Sequence, residues 1–325
     1  MWRYILKRLF WLLVIILCVG VLIFSIMYFV PGDPVQILLS GESYTQEYYL
    51  EVKHSLGLDK GYFAQLGDYL YQTFIKFDFG TSYTSKVPVM QAIMERLPRT
   101  FLLGLFSILI SAGIGIPLGV SAGLHRNGFR DQGLLIFAMI FISIPQFWLG
   151  LELMLLFSVK LHWLPTSGCA TALAWIMPVI CNSIGGIAMN ARQSRAAVLE
   201  TVRADFVTTA RAKGVAEQKV IWKHMMPNAL IPVINAVGNS FANMISGTVV
   251  IENLFAFPGI GQYVLNSMGS RDYPAIRACV LLLATFAAVV NLIVDLIYAH
   301  LDPRIKAQYI AYGARKKSRG GLAKS

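Results

Sequence analysis

The sequence predicts an all-α polytopic membrane protein with six transmembrane helices and a small external cap segment. Three observations predict it. The 325 residues are 56% hydrophobic and 14% charged, with a mean hydropathy of +0.60, whereas a soluble domain carries about 25% charged residues. Apolar stretches long enough to cross a bilayer, about 20 residues each, occur at 9–30, 101–123, 133–158, 172–190, 229–251 and 279–301. Lysine and arginine concentrate in alternate connecting segments.

The first stretch follows RYILKRL and runs unbroken to Val30. That is longer than the apolar core of a cleavable signal, and no small-x-small site precedes Pro31, so it reads as a retained anchor. With the N-terminus inside, segments 1–8, 124–132, 191–228 and 302–325 hold 19 of the 28 basic residues. The positive-inside rule then sets both termini in the cytoplasm. The net charge of +11 sits in these short segments and in a C-terminal tail, 303–325, bearing Arg315, Lys316, Lys317, Arg319 and Lys324. This distribution argues for membrane topology and against nucleic acid as a partner.

Segment 31–100 lies outside and holds eight acids against six bases. It is too long for a plain connector. Leu58, Phe63, Leu66, Tyr69, Leu70 and Phe74 recur at helical spacing, which predicts a helical cap; a passive loop is the alternative. The remainder, 101–302, forms the core with spans two to six. Gly113, Gly115, Pro117 and Gly119 in the second span predict close helix packing and local bending.

Between spans four and five lies a charged block, RADFVTTARAKGVAEQKVIWKHMMPNALIP, starting at Arg203. Residues 203–213 suit a helix. Gly214 stops it by tolerating the left-handed conformation, and Lys213 complements the helix dipole. A second helix over 217–225 is expected to end before Pro227, which lacks an N–H. Ala210 and Gly214 lie four apart on one face, where another protein's backbone could approach. A basic loop follows from topology alone; the helix–Gly–helix–Pro spacing does not, and it points to docking.

Chemistry of its own is not apparent in the chain. No GxxxxGK[ST] occurs, so no P-loop can cradle a nucleotide. His54, His125, His162, His224 and His300 show no metal-ligand spacing. Cys18, Cys169, Cys181 and Cys279 read as small apolar residues. Ionisable residues in apolar stretches are costly and are paired or face water. Glu152 and Glu252 are therefore candidates for a path, and Asp295 for a pair with a base near the inner face, such as Arg304. The turn with Phe257, Pro258 and Gly259 after span five is either a gate or a surface or re-entrant turn.

These features resemble the permease subunits of ABC importers, in the dipeptide/oligopeptide/nickel group. Aligned on Gly214, the chain keeps Ala210, Gly214 and Pro227 of the importer-wide cytoplasmic motif, while Thr208, Thr209, His224 and Met226 depart from it. Group-specific matches run along nearly the whole chain. They include Pro31-Gly32-Asp33-Pro34, Asp78-Phe79-Gly80-Thr81-Ser82, Ile144-Pro145-Gln146-Phe147-Trp148, Leu164-Pro165-Thr166-Ser167-Gly168, Phe257-Pro258-Gly259-Ile260-Gly261 and Arg271-Asp272-Tyr273-Pro274. The long external segment resembles the first of the two permeases in such systems.

The resemblance implies a type I importer permease fold in a bacterial inner membrane. It implies a second homologous permease, two cytoplasmic ATPase subunits that bind the ATP, and an external substrate-binding protein; no cofactor belongs to this chain. Ala210, Arg211, Ala212, Lys213, Gly214, Val215 and Pro227 would couple to an ATPase. Di- or oligopeptides are the expected substrate, with nickel or a metal chelate as the alternative. A stand-alone secondary transporter is a reading of a different class; it calls for inverted repeats, which the sequence does not display. A membrane-embedded enzyme lacks a catalytic constellation.

Overall fold

A computed structural model describes residues 2–39 and 43–301. The expected tail 303–325, with Arg304 and the cluster from Arg315 to Lys324, lies outside the described residues. Thirteen α-helices follow one another there, and the described residues form no strand beyond one isolated bridge between Thr81 and Pro88.

The apolar N-terminal stretch becomes α1 (Trp2–Phe29). Three short helices follow: α2 (Pro34–Leu38), capped by the Asp33 side chain, α3 (Gln46–Ser55), capped by Thr45, and α4 (Tyr62–Phe74). Together they form the cap. Leu66, Tyr69, Leu70 and Phe74 are half-buried as the periodicity requires, but Phe63 is 83% exposed. The apolar face of α4 lies on α1, where Phe24 stacks on Tyr69 at 5.3 Å and Ser25 Oγ and Tyr62 Oη share a hydrogen bond of 2.7 Å.

Helix α5 (Val89–Leu124) has 36 residues, about 54 Å of helix, well beyond a hydrocarbon core of about 30 Å. Its first turns therefore belong to the cap end. It packs along α8 (Ala172–Val202) at close range. A Cβ at Gly115 would stand 2.7 Å from the Ile187 carbonyl oxygen, and one at Gly119 2.2 Å from that of Ala191. Gly113 meets nothing within 4 Å, so the packing role expected of that glycine falls to Gly115, Gly119 and Gly123.

Several boundaries differ from the sequence expectation. The stretch 133–158 is not one helix but α6 (Phe129–Ser143) followed by α7 (Gln146–Leu153), which continues as a π-helix, Met154–Lys160, at 96° to α6. The residue before a proline is steered out of the helical region, and Ile144 before Pro145 is extended, with ψ 125°. The fourth span runs on to Val202, beyond the expected 190. The second helix of the charged block does not end before Pro227: α10 (Glu217–Lys219) passes through a π-helical Val220–Met225 directly into α11 (Met226–Leu254). Pro227 sits in the first turn of α11, where its missing N–H is tolerated. Last come α12 (Ile260–Gly269), absent from the sequence reading, and α13 (Tyr273–Leu301), which starts six residues before the expected 279.

Among the described residues four single helices are long and apolar enough to cross a membrane, and two bent pairs, each counted as one span, bring the number to as many as six. Asp295 on α13 pairs with Arg8 on α1 at 2.5 Å, a base of the N-terminal segment; the expected partner Arg304 lies outside the described residues.

Candidate functional site

Two regions carry functional geometry. One is the helical hairpin between α8 and α11. Helix α9 (Asp205–Ala212) ends in Lys213, and Gly214 has φ +74°. Val215 N–H donates to the Ala210 carbonyl at 3.3 Å and Gly214 N–H to that of Arg211 at 2.9 Å. This is a Schellman closure, which satisfies the last carbonyls and needs a left-handed residue at position 214. Across the turn, Arg211 grips Glu217 with two hydrogen bonds of 3.1 and 2.6 Å. The guanidinium holds the Glu217 carboxyl below its ordinary range.

Ala210 does not face outward. It is buried with Val207, Val220, Met225 and Ala229 in a small core against α8 and α11, while Gly214 stands open, with nothing within 4 Å of a built Cβ. The two residues therefore do not form a common docking face, because α9 turns the Ala210 side into the core. Arg211, Ala212, Lys213 and Gly214 are exposed, Val215 is half-buried, and Pro227 is exposed at the start of α11. Two aromatics missed by sequence reasoning complete this surface: Phe206, 43% exposed, and Trp222, 68% exposed. Their signal was a large apolar side chain inside a charged segment.

Beside the hairpin, Asp131 in the first turn of α6 is buried and takes a two-point contact from Arg195 on α8. It also accepts from Asn127 N–H at 2.9 Å. The connector between α5 and α6 is thereby fastened to the helix that leads into the hairpin.

The second region is a cavity of about 290 Å3 between α6, α7, α8 and α11. Gln146 Nε2 donates to Asn182 Oδ1 at 2.9 Å, and Asn182 Nδ2 donates to Ser107 Oγ at 3.0 Å. About two turns further along α8, Asn190 Nδ2 donates to Ser111 Oγ at 2.7 Å. Asn243 and Ser240 of α11 line the cavity, and Asn243 is exposed. Amides and hydroxyls thus run along one side of the spanning helices with no charged side chain among the lining residues. Sequence reasoning sought ionisable residues and passed over these neutral ones.

The expected path or gate residues lie elsewhere. Glu152 is exposed on α7 and does not line the cavity. Glu252 is fully buried at the cap end of α11, accepting from Gln262 N–H at 3.1 Å, and a Cβ at Gly259 would stand 2.3 Å from its carboxyl carbon. Phe257 is fully buried, edge-on to Trp175 at 4.7 Å. Arg99 donates to the Pro258 carbonyl at 3.3 Å, and Ile260 N–H donates to Thr100 Oγ1 at 2.9 Å. The turn is built into the core, where Glu252 fills the space that two glycines, Gly259 and Gly261, leave open. Among the described residues, no group of three His, Cys, Asp or Glu stands together as metal ligands.

Up to six candidate membrane-crossing elements, a cavity between them whose mainly apolar wall carries Gln146, Asn182, Ser240 and Asn243, and a helical hairpin at one end give the architecture of a polytopic membrane protein. The sequence matches the family described as binding-protein-dependent transport system inner membrane component over residues 115–307, and the N-terminal component of the same system over residues 1–104. The chain belongs to this family of ABC importer permeases. A putative peptide transport system permease protein of Brucella abortus (strain 2308) is 37% identical over 310 residues, covering 93% of this chain and 98% of the relative. The glutathione transport system permease protein GsiC of Salmonella choleraesuis is 37% identical over 306 residues, covering 94% and 99%. In fold the chain is similar to the inward-facing MetNI methionine ABC transporter, with a TM-score of 0.56 and 20% identity over 66% of this chain and 97% of that one.

Proposed function

We propose that the chain forms half of the translocation path of an ATP-driven importer of di- or oligopeptides. The observation that carries this reading is the neutral amide and hydroxyl lining contributed by Gln146, Asn182, Ser240 and Asn243. Each amide offers both donors and an acceptor, the chemistry that a peptide backbone shares whatever its side chains. The relatives named for peptide and glutathione transport support the same substrate class.

In this reading the hairpin end faces the cytoplasm and the cap faces outward, following the charge asymmetry of the loops. A second homologous permease completes the path, an external binding protein delivers the peptide at the cap end, and two ATPase subunits dock on the hairpins. Arg211, Lys213, Gly214, Phe206 and Trp222 form the docking surface, while Ala210, Val215 and Pro227 hold its shape. ATP-driven closure of the ATPases then shifts the hairpin, and with it α8 and α11, whose polar faces line the cavity; the coupling is a bias between two states by a ligand bound elsewhere. The chain itself binds no nucleotide. Glu252 with Phe257, Pro258 and Gly259 braces the cap end of the path, and Glu152 faces the second permease.

Uptake of labelled dipeptide, labelled tetrapeptide and radioactive nickel by a deletion strain and its complemented parent tests the substrate. Peptide uptake that depends on this chain is the expected result. Nickel uptake alone would move it to metal acquisition.

A further inference from the structure

On α8, the last residue in the wall of the cavity between α6, α7, α8 and α11 is Met189. The same level is marked from α11, where Ser240, also in the wall, donates from Oγ to Asn190 Oδ1 at 3.5 Å. Arg192 follows on α8, about 3 Å beyond Asn190 along the helix axis and on the side of the hairpin. It stands on the exposed stripe of α8 that faces the cavity. Gly185 and Met189 of that stripe belong to the wall, and Arg192 and Ala196, both exposed, continue it at the spacing of one helical face.

Side chains on a helix lean toward its N-terminus, which here aims Arg192 back at the cavity. Its Nη2 accordingly donates to Met189 Sδ at 3.3 Å. A thioether is a weak acceptor, and a guanidinium has five N–H donors, so this contact is easily given up for a better one. Among the described residues no acid forms a salt bridge with Arg192. Asp131 is held by the neighbouring Arg195, and Glu200 lies about 12 Å further along α8. The cavity wall itself holds no charged side chain. One cation therefore stands at the hairpin end of a neutral cavity, exposed and without a carboxylate of its own.

We infer that Arg192 binds the C-terminal carboxylate of the transported peptide as it passes from the cavity toward the hairpin end. The inference rests on the peptide-import reading given above. Gln146, Asn182 and Asn243 answer the peptide backbone, but a free peptide also carries a carboxylate, and the neutral wall leaves that charge unmatched. The planar fork of an arginine meets a carboxylate with two parallel hydrogen bonds. Because Arg192 is exposed to solvent, the pair is weak enough to let the peptide go. The substrate class narrows accordingly, to peptides with a free C-terminus over those whose C-terminus is an amide or an ester.

The test uses the whole transporter, reconstituted in proteoliposomes with its ATPases and a saturating binding protein. ATP-driven uptake of a labelled neutral tetrapeptide is compared with that of its C-terminal amide, with thermal unfolding measured for each variant. The binding protein is common to all samples, so a change of the acid-to-amide ratio between variants reports on the permease. Wild type should take up the free acid faster. Arg192→Gln should slow the acid about fivefold, the scale of a solvent-exposed charge pair, and barely affect the amide, while Arg192→Lys should keep part of the preference. A photoreactive side chain placed at position 192 should capture the labelled acid during turnover, and this decides the matter if the binding protein does not deliver the amide. Equal slowing of acid and amide in Arg192→Gln, no slowing of either, or no capture at position 192 overturns the inference. Absence of any peptide uptake by wild type is a different failure: it refutes the peptide-import reading, and the inference with it.

Discussion

Ser82 Oγ donates a hydrogen bond of 2.5 Å to Asp272 Oδ2 across 190 residues of sequence. The same buried carboxylate accepts from Tyr83 N–H at 3.1 Å, and from Ala275 N–H at 3.4 Å in the first turn of α13. One side chain thus both caps α13 and fastens the cap segment to the core. Losing it leaves several buried donors unpaired, at about 1–3 kcal/mol each. Asp272→Ala should lower the unfolding temperature of the purified transporter by several degrees and expose the cap to protease. Unchanged stability and protection would refute the fastening.

The α5–α8 interface makes a sharper contrast. A Cβ at Gly119 would come within 2.2 Å of the Ala191 carbonyl oxygen, a backbone atom that cannot swing aside, whereas Gly113 has open space. Gly119→Ala should abolish assembly, and Gly113→Ala should be neutral or slightly stabilising, since alanine favours helix over glycine by about 1 kcal/mol. Expression and gel-filtration profiles of the two variants check this directly.

Asp131 is buried and its partner Arg195 half-buried, so removing the arginine leaves a buried carboxylate unpaired, at a cost below the about 3–5 kcal/mol of a fully buried pair, while replacing both by apolar residues can be neutral. Arg195→Met should therefore impair folding, and the double variant Asp131→Leu with Arg195→Met should recover most of the yield. A double variant as poor as the single would show that the pair does more than fasten the connector.

Glu252 and Gly259 occupy complementary space. Gly259→Ala should be damaging alone and much less so combined with Glu252→Ala, which makes room for the methyl. Uptake by the two strains provides the readout; equal defects would mean that the contact is not what fixes this turn.

The six crossings were legible because apolar length is a property of composition. The Gly214 turn was legible because few residues accept φ +74°. The break at Ile144-Pro145 was missed inside an otherwise continuous apolar stretch, although Pro145 was the local signal. Pro227 misled in the opposite direction: a proline in the first turn of a helix costs little, and the preceding π-helical stretch carried the chain through it. The cavity between α6, α7, α8 and α11 was missed for a deeper reason. Charge stands out in an apolar sequence and drew the search to Glu152 and Glu252, but the cavity is lined by Gln146, Asn182 and Asn243. Only the side on which α8 meets α6, α7 and α11 distinguishes these amides from other polar residues, and that is a tertiary fact. Ala210 shows the same limit, since its spacing from Gly214 is right but packing turns it inward.

The central claim is that the hairpin 205–225 docks an ATPase. Copurification of the ATPase subunits with the wild-type permease, with Trp222→Asp and with Gly214→Trp tests it most directly, with the thermal unfolding of each permease measured alongside. Trp222 is largely exposed, so its replacement should leave the membrane part folded. Both variants should lose the ATPases and peptide uptake while the permease still forms its membrane assembly. Wild-type copurification and uptake in both variants would contradict the docking assignment.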